Sequence, residues 1–210
     1  MRILLATTNR GKLDELRQII SGLGFEVIGL SDCESTEELE IAPTFAENAL
    51  LKARCYHRLH GLPTIADDSG LEVDALGGAP GVHSARYAGP NSSDADRIAK
   101  LLADLKDVPL ERRHARFICA AAMVWDGGEK VFQSDAAGVI LASPRGQNGF
   151  GYDPVFFSEA LGRTFAELTR SEKAEVSHRG RAFRNLGRWL NESRVLDTQK
   201  SGDRIVTTAD

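Results

Sequence analysis

The sequence TIADDSGLEVDALGGAPGVHSARYAG, residues 64–89, joins a short apolar run to paired acids and then to a glycine-rich loop. We expect a buried strand to end at Ala66. Asp67, Asp68 and Ser69 would then lie at its carboxyl end, where open α/β sheets bind their ligands. The stretch therefore predicts an α/β fold with a site beside the two acids.

The adjacent acids Asp67 and Asp68 cannot both enter an apolar interior without a large desolvation cost. If both approach one site, a divalent cation or a shared proton relieves their repulsion. Mg²⁺ is the first candidate, because it takes hard oxygen ligands and is usually held by one or two carboxylates together with substrate phosphates. A surface turn that begins a loop is the alternative, since Asp and Ser are common turn residues.

The composition limits the classes of protein to be considered. The chain has 210 residues, which suits one domain, and a formal net charge of −4 at pH 7. This acidic balance argues against a sequence-independent nucleic-acid binder, which carries a basic face. The widely spaced Cys33, Cys55 and Cys119 are typical of reduced thiols in a cytoplasmic protein. We expect neither a signal peptide nor a membrane span, because no segment is long and apolar enough.

The first segment predicts a strand, a polar loop and a helix. The run Arg2 to Ala6 suits a buried strand, and apolar residues recur at helical spacing from Leu13 to Leu23. Between them, residues 7–12 lead into a helix start, whose N–H groups and dipole attract phosphate oxygens, and Lys12 adds a positive charge. The loop matches neither common glycine-rich phosphate-binding pattern. An ordinary capped turn between strand and helix is the alternative.

A second helix is predicted to begin at the capping box formed by Thr44 and Glu47 and to end at Gly61. Asn48 and Lys52 are four residues apart, so they share the face of this helix that is directed toward whatever it covers. Taken alone, Lys52 is more typical of a surface lysine.

Further along, two extended runs flank the turn signal Asp-Gly-Gly at residues 126–128. The runs are Phe117 to Trp125 and Val131 to Leu141, and together they predict a long hairpin. A long hairpin indicates a mixed sheet rather than a purely parallel one. A helix capped by Ser92 or Ser93 and ending before Pro109 is also predicted, and it is interpreted as structural.

A second glycine-rich loop, SPRGQNGFGYDP at residues 143–154, contains Phe150, Tyr152 and Asp153. Aromatic side chains in such a loop are poorly placed for a core and well placed to stack on a flat ring. Asp153 can accept a hydrogen bond from a ring N–H. The loop therefore predicts a binding surface for a heterocyclic base.

The last helical stretch, residues 169–191, carries Lys173, His178 and Arg179 ahead of an apolar face. His178 and Arg179 can donate hydrogen bonds to a base or a phosphate, with a helix cap as the alternative. We expect one domain over residues 1–196, followed by a polar tail at 197–210.

The chain contains, in this order, the motifs ATTNRGK, TFAENALLKA, IADDSG with GGAPGVHSARYAG, GFGYDP, and AELTRSEKAEVSHRG. In this combination it closely resembles the inosine triphosphate pyrophosphatase family, over residues 3–190. The resemblance implies an α/β fold with a mixed, curved β-sheet flanked by helices, in two lobes around a central nucleotide cleft. It also implies a homodimer, Mg²⁺ as cofactor, and hydrolysis of ITP, dITP and XTP to the monophosphate and pyrophosphate. Such an enzyme cleanses the nucleotide pool of deaminated purines.

Carried over by position, the resemblance assigns phosphate binding to Thr7, Thr8, Asn9, Arg10, Gly11 and Lys12. Thr8 stands where family members often have glycine, and Lys12 is also assigned to catalysis. Glu40 and Asp68 match the metal ligands, Asp68 also matches the proton acceptor, and Asp67 would support the metal or its waters. The remaining substrate contacts are Lys52, Ser69, Phe150, Gly151, Tyr152, Asp153, Lys173, His178 and Arg179.

Two other functions stay open. A non-catalytic purine nucleotide sensor would bind ITP without hydrolysing it. A metal-dependent phosphatase would also use paired acids, but it would release orthophosphate. No nucleic-acid or membrane partner is expected.

Overall fold

The computed structural model describes residues 1–7, 10–30 and 41–193. Its strands are β1 (Arg2–Leu5), β2 (Glu26–Gly29), β3 (Thr64–Val73), β4 (His114–Trp125), β5 (Gly128–Ile140), β6 (Phe156–Ser158) and β7 (Arg163–Thr164). Its α-helices are α1 (Arg10–Ile19), α2 (Phe45–His60), α3 (Asp94–Asp104), α4 (Arg170–Val176) and α5 (His178–Ser193). The single two-lobed domain over residues 1–196 stays a prediction, and the predicted tail lies outside the described residues.

The seven strands in the described ranges form one open sheet in the order β2-β1-β3-β4-β5-β6-β7. β1 pairs in parallel with β2 and β3, whereas every later pairing is antiparallel. β4 and β5 pair from His114 opposite Val139 to Trp125 opposite Gly128. The predicted long hairpin and the mixed sheet are therefore confirmed.

Strand β3 is longer than the sequence predicts. It does not end at Ala66 but continues through Asp67 and Asp68 to Val73, because β4 pairs with it along its whole length. β1 pairs with β3 only as far as Ile65. Beyond Ile65 no strand of the described ranges covers the β1 side of β3. The two acids thus lie inside a strand, at an edge that is open to other groups.

Helices cover both faces of the sheet. α1 and α5 bury Leu16, Ile20, Phe183 and Leu186 against Ile3, Ile65 and Met123. On the opposite face, α2 packs Ala49 and Ala53 on Ala120 and Ala122 of β4. These small side chains let the helix lie close to the sheet. Within the described ranges, no helix combines the length and the hydropathy that crossing a membrane requires.

The ends of α2 follow from local sequence, as predicted. The Thr44 hydroxyl accepts a hydrogen bond from the Glu47 N–H at 3.2 Å and so caps the first turn. Gly61 ends the helix with φ of 61°, a left-handed conformation that costs glycine little.

The junction of α4 and α5 requires glycine at position 180. A Cβ atom on Gly180 would lie 1.8 Å from the carbonyl oxygen of Ala174. Glycine therefore lets α4 approach the first turn of α5, the turn that carries His178 and Arg179. This contact sets the position of Lys173 on α4 relative to both side chains.

We expect Gly180→Ala to lower the free energy of unfolding by about 1–3 kcal/mol, because the added methyl forces the two helices apart. Urea denaturation measures this change. Gly187→Ala in the same helix is the matched control, since its Cβ would meet the Cγ2 methyls of Ile19 and Ile20 at 3.3 and 3.4 Å, a far milder contact than that at Gly180. An equal loss in both variants would show that the α4–α5 contact is not the cause.

Candidate active site

The two acids of β3 face opposite sides of the sheet. Successive side chains of a strand alternate in direction, so Asp67 is directed toward α1 and α5 and Asp68 toward α2. Both are buried, with exposed fractions of 3% and 7%. A surface Asp-Asp turn is therefore wrong. So is an arrangement in which both side chains point in one direction onto one cation.

Asp67 holds two cations from distant elements. Its Oδ1 is 2.9 Å from Lys12 Nζ, and its Oδ2 is 3.2 Å from both Arg179 Nε and the Ser69 hydroxyl. Burial alone would raise the pKa of Asp67, but the charges of Lys12, Arg179 and Lys52 outweigh it and hold that pKa well below its usual value. Asp67 is thus the anionic centre that positions the cations of α1 and α5.

Asp68 lies in a network built by α2. Its Oδ2 accepts a hydrogen bond from Asn48 Nδ2 at 3.0 Å, and its Oδ1 accepts one from the Ser69 N–H at 3.1 Å. Lys52 Nζ is 3.7 Å from Oδ1. The predicted sharing of one helix face by Asn48 and Lys52 is confirmed, because both side chains reach Asp68.

Lys52 also links the two faces at the open edge of β3. Its Nζ donates to the backbone carbonyl of Asp67 at 2.7 Å, and its side chain is only 11% exposed. The interpretation of Lys52 as a surface lysine is therefore wrong. Its charge lies between the network of Asp68 and the cations that Asp67 holds.

A cationic basin of about 580 Å³ opens beside Lys12. Its charged lining residues are all cations, namely Lys12, Arg170, Lys173 and Arg179. The described residues around it also include Gly11, Asn148, Gly149, Phe150, Leu168 and Thr169, with no carboxylate among them. A concentration of like charge in a concave site attracts anionic groups such as phosphates.

An aromatic pocket of about 150 Å³ adjoins the basin, and Phe150, Lys173 and Arg179 line both. The Phe150 ring is 51% exposed at the boundary. Lys173 Nζ lies 4.6 Å and the Arg179 guanidinium 5.5 Å from its centroid. An exposed ring so placed can stack on a flat heterocycle whose charged substituent enters the basin.

His178 forms part of the wall of this pocket. Its ring stacks on Phe117 with centroids 4.8 Å apart. Burial lowers the pKa of His178 well below its usual value, and the charges of Arg179 and Lys173 lower it further. Its Nδ1 is buried and has no hydrogen-bond partner among the described residues. A neutral imidazole with an unpaired nitrogen is suited to bind a polar group of a ligand.

The loop that carries Phe150 differs in part from its prediction. Tyr152 is buried in the core, where its hydroxyl donates to the Ser84 carbonyl at 2.9 Å, so it is not free to stack on a ring. Asp153 pairs with Lys173 and accepts from the Phe150 N–H at 2.9 Å. Both still line the pocket. Their contacts within the protein fix the loop, which leaves Phe150 as its exposed ring.

The structure brings together most of the predicted site residues. Gly11 and Lys12 line the basin from the first turn of α1, which begins at Arg10, so the end of the predicted loop is helical. The pocket is lined by Ser69, Phe150, Gly151, Tyr152, Asp153, Lys173, His178 and Arg179. Neither cavity is lined by Thr7, Arg10, Lys52 or Asp68. The predicted residues Thr8, Asn9 and Glu40 lie outside the described residues, and the individual roles stay predictions.

Several lining residues were missed from the sequence. Asp94 and Arg97 of α3 line the pocket, so the interpretation of this helix as purely structural is wrong. The Gly151 N–H donates to Asp94 Oδ2 at 2.6 Å. Ser84 lies in a quoted motif without an assigned role, and Arg170 is only three residues from Lys173. For Ser84 and Arg170, proximity to the quoted motifs is the sequence signal that indicates the site. The approach of α3 to the pocket depends on tertiary packing and has no such signal.

Fold and site together define an open, mixed α/β protein whose cleft joins a basin for anionic groups to an aromatic pocket. Comparison with known proteins specifies this class further. The sequence profile of the Ham1 family matches residues 3–189. The chain therefore belongs to the Ham1 family.

Its relatives include a dITP/XTP pyrophosphatase of Frankia alni, 52% identical over 200 residues, covering 91% of this chain and 98% of the relative. A solved HAM1 protein from Coxiella burnetii superimposes with a TM-score of 0.83 at 41% identity, over 91% of this chain and 99% of that one. A solved nucleoside-triphosphatase / dITP/XTP pyrophosphatase from Mycobacterium abscessus superimposes with a TM-score of 0.73 at 48% identity, over 89% of this chain and 98% of that one. The predicted fold class and family are confirmed.

The buried, neutral His178 makes folding stability depend on pH. The unfolded chain binds a proton on this imidazole below about pH 6.5, whereas the folded chain does not. The contribution of the neutral His178 to the free energy of unfolding is therefore fully present above that pH. It is lost on acidification, by up to about 1.4 kcal/mol per pH unit.

We expect His178→Gln to reduce the loss of stability between pH 7 and pH 5, measured by urea denaturation at each pH. His60→Gln, which changes an exposed histidine, is the control. If His178→Gln and the wild type lost the same stability between pH 7 and pH 5, the assignment of a neutral, buried His178 would be contradicted.

Proposed function

We propose that the protein hydrolyses the non-standard purine nucleoside triphosphates ITP, dITP and XTP to the monophosphate and pyrophosphate. The observation that carries this proposal is the continuity of two cavities. A basin with cationic charged groups opens through Phe150, Lys173 and Arg179 into a pocket with an aromatic wall. A triphosphate and a heterocyclic base on one molecule fit this pair.

The relatives support the same reaction. The Frankia alni protein and a relative from Geobacter sulfurreducens, 51% identical over 184 residues, are both dITP/XTP pyrophosphatases. Each alignment covers more than nine tenths of the relative's own chain. The chain thus retains nearly the whole length of proteins with this activity.

Binding of the phosphates is assigned to the basin. Lys12 and Arg179 are held beside it by Asp67, and Lys173 is held by Asp153. These contacts fix the cations before a ligand arrives, which reduces the reorganisation needed to stabilise developing charge. Lys12 is proposed to offset negative charge on the triphosphate as pyrophosphate leaves.

Selection of the base is assigned to the wall formed by His178 and Arg179. Donors directed at the 6-oxo group of hypoxanthine or xanthine would meet the 6-amino group of adenine instead, and buried polar groups would stay unpaired. Sites of this kind reject such analogues by factors of about 10⁴ to 10⁵. The unpaired Nδ1 of the buried His178 supports this assignment.

Mg²⁺ is proposed as the cofactor, with Glu40 and Asp68 as its ligands. Asp68 fits this role because carboxylate oxygens are the hard ligands that Mg²⁺ prefers. The Ala42 N–H, two residues after Glu40 in sequence, is bonded to the same Asn48 side chain that contacts Asp68. When bound, Mg²⁺ would polarise the phosphate oxygens. Asp68 is also the proposed acceptor of the proton that the attacking water loses.

The assembly and the compartment are also proposals. A homodimer is supported by the family resemblance, and light scattering would then give twice the mass of one chain. A cytoplasmic location suits a protein that acts on free nucleotides and has free thiols at Cys55 and Cys119.

We expect the protein to release pyrophosphate from dITP and XTP when Mg²⁺ is present, and to release little from dATP, whose 6-amino group would leave the donors unpaired. We also expect little from dGTP; because guanine carries the same 6-oxo group, its exclusion would depend on crowding around its 2-amino group. A coupled assay that separates pyrophosphate from orthophosphate measures both products, with a chelator to remove the metal. Orthophosphate as the first product would favour the phosphatase instead. Binding of ITP without turnover would favour the sensor.

Asp68→Asn serves as the site variant in this assay. We expect it to lower turnover by at least about 10²-fold, because the amide cannot accept the proton and binds cations weakly. Asp107→Asn, at an exposed carboxylate remote from the site, is the matched control. Near-normal turnover in Asp68→Asn would remove Asp68 from its proposed role.

A further inference from the structure

One polar side chain in the network of Asp68 has no role in the scheme above. Asn48 is completely buried, with an exposed fraction of 0%, in the first turn of α2. Its Nδ2 donates to Asp68 Oδ2 at 3.0 Å, and its Oδ1 accepts from the Ala42 N–H at 2.8 Å. A buried amide that satisfies both of its ends in this way is fixed in position.

These two partners determine the orientation of the amide. A backbone N–H can only donate, so Ala42 requires the oxygen of Asn48. The carboxylate of Asp68 accepts from the NH₂ group. The opposite orientation would place two donors together at one end and two acceptors at the other. Asn48 therefore matches its surroundings as neither Asp nor an apolar residue can.

We infer that Asn48 is a positioning residue, which holds the Asp68 carboxylate in its reactive orientation and ties it to the segment that follows Glu40. The inference rests on the proposed function, because it deepens the role given to Asp68. The Ser69 N–H holds Oδ1 of Asp68, and Asn48 holds Oδ2. With both oxygens held, the carboxylate cannot rotate freely about its Cβ–Cγ bond.

The link to Ala42 gives the amide a second consequence. Ala42 precedes α2 and lies two residues after Glu40 in sequence. The backbone there is bonded to the same side chain that orients Asp68. The Asn48 amide thereby connects the two predicted metal ligands. It contacts Asp68 directly, and it binds the backbone of Ala42, two residues after Glu40 in sequence. Partners of this kind, which orient metal ligands, change metal affinity or activity by about 10- to 100-fold when they are replaced.

Two substitutions separate the contacts of Asn48. Asn48→Asp retains the acceptor for the Ala42 N–H and replaces the amide donor with a second carboxyl group, which either repels the Asp68 carboxylate or shares its proton. Asn48→Leu has the same branched arrangement of four side-chain heavy atoms and removes both contacts. The matched control is Asn185→Asp on α5, an exposed asparagine whose Nδ2 lies 3.4 Å from the Ser134 hydroxyl.

Two readouts test the role without relying on stability. The first is kcat and KM for dITP with Mg²⁺, corrected for the folded fraction measured by circular dichroism. The second is binding of Mn²⁺ to the nucleotide-free protein, followed by electron paramagnetic resonance. Mn²⁺ binding is compared between wild type and Asn48→Leu, because Asn48→Asp introduces a carboxylate that itself attracts cations.

We expect kcat to fall by about 10- to 100-fold in both Asn48 variants, with KM within about threefold of wild type and with Asn185→Asp unchanged. Mn²⁺ binding should weaken by about tenfold or more in Asn48→Leu. Wild-type kcat and Mn²⁺ affinity in the folded Asn48 variants would overturn the inference. If the wild type released no pyrophosphate at all, the proposed function would fail, and the Mn²⁺ comparison would still decide whether Asn48 positions Asp68.

Discussion

The site depends on one buried carboxylate within strand β3. Asp67 contacts Lys12 and Arg179, which are 55 and 112 residues away in the sequence, and so joins α1, β3 and α5 at one point. A buried ion pair adds little net stability, because the desolvation of both charges offsets their attraction. Its main consequence is therefore positional. Two cations are held at the edge of a cavity, where they would repel each other without the shared anion.

The alternation of side chains along β3 then divides the chemistry between two faces. Asp67 organises the cations on the face of α1 and α5, whereas Asp68 belongs to the network of α2 on the other face. The two sets meet because β1 ends early, which opens the edge of β3 beyond Ile65. Lys52 lies at this edge and contacts both acids: its Nζ donates to the backbone carbonyl of Asp67 and lies near the side-chain carboxylate of Asp68. A strand with one uncovered edge can thus serve a site with groups from both of its faces.

The sequence predicts what is determined locally. The N-cap at Thr44, the end of α2 at Gly61 and the long hairpin are confirmed, because each depends on residues within a few positions. The true end of β3 could not be predicted, since the burial of its acids is compensated by cations from distant helices. The burial of Tyr152 and the approach of α3 to the pocket likewise depend on tertiary packing. Residue patterns already indicate most of the site residues, whereas the metal-binding role of Glu40 and the individual roles come from the family resemblance.

In the proposed complex, one nucleotide occupies both cavities, with its base in the aromatic pocket and its phosphates in the cationic basin. A crystal structure with the α,β-methylene analogue of ITP, which resists cleavage between those phosphates, tests this most directly. We expect the base to stack against Phe150 with its 6-oxo group toward His178 and Arg179, and phosphate oxygens to lie beside Lys12. A base in the basin, or phosphates away from Lys12, would contradict it.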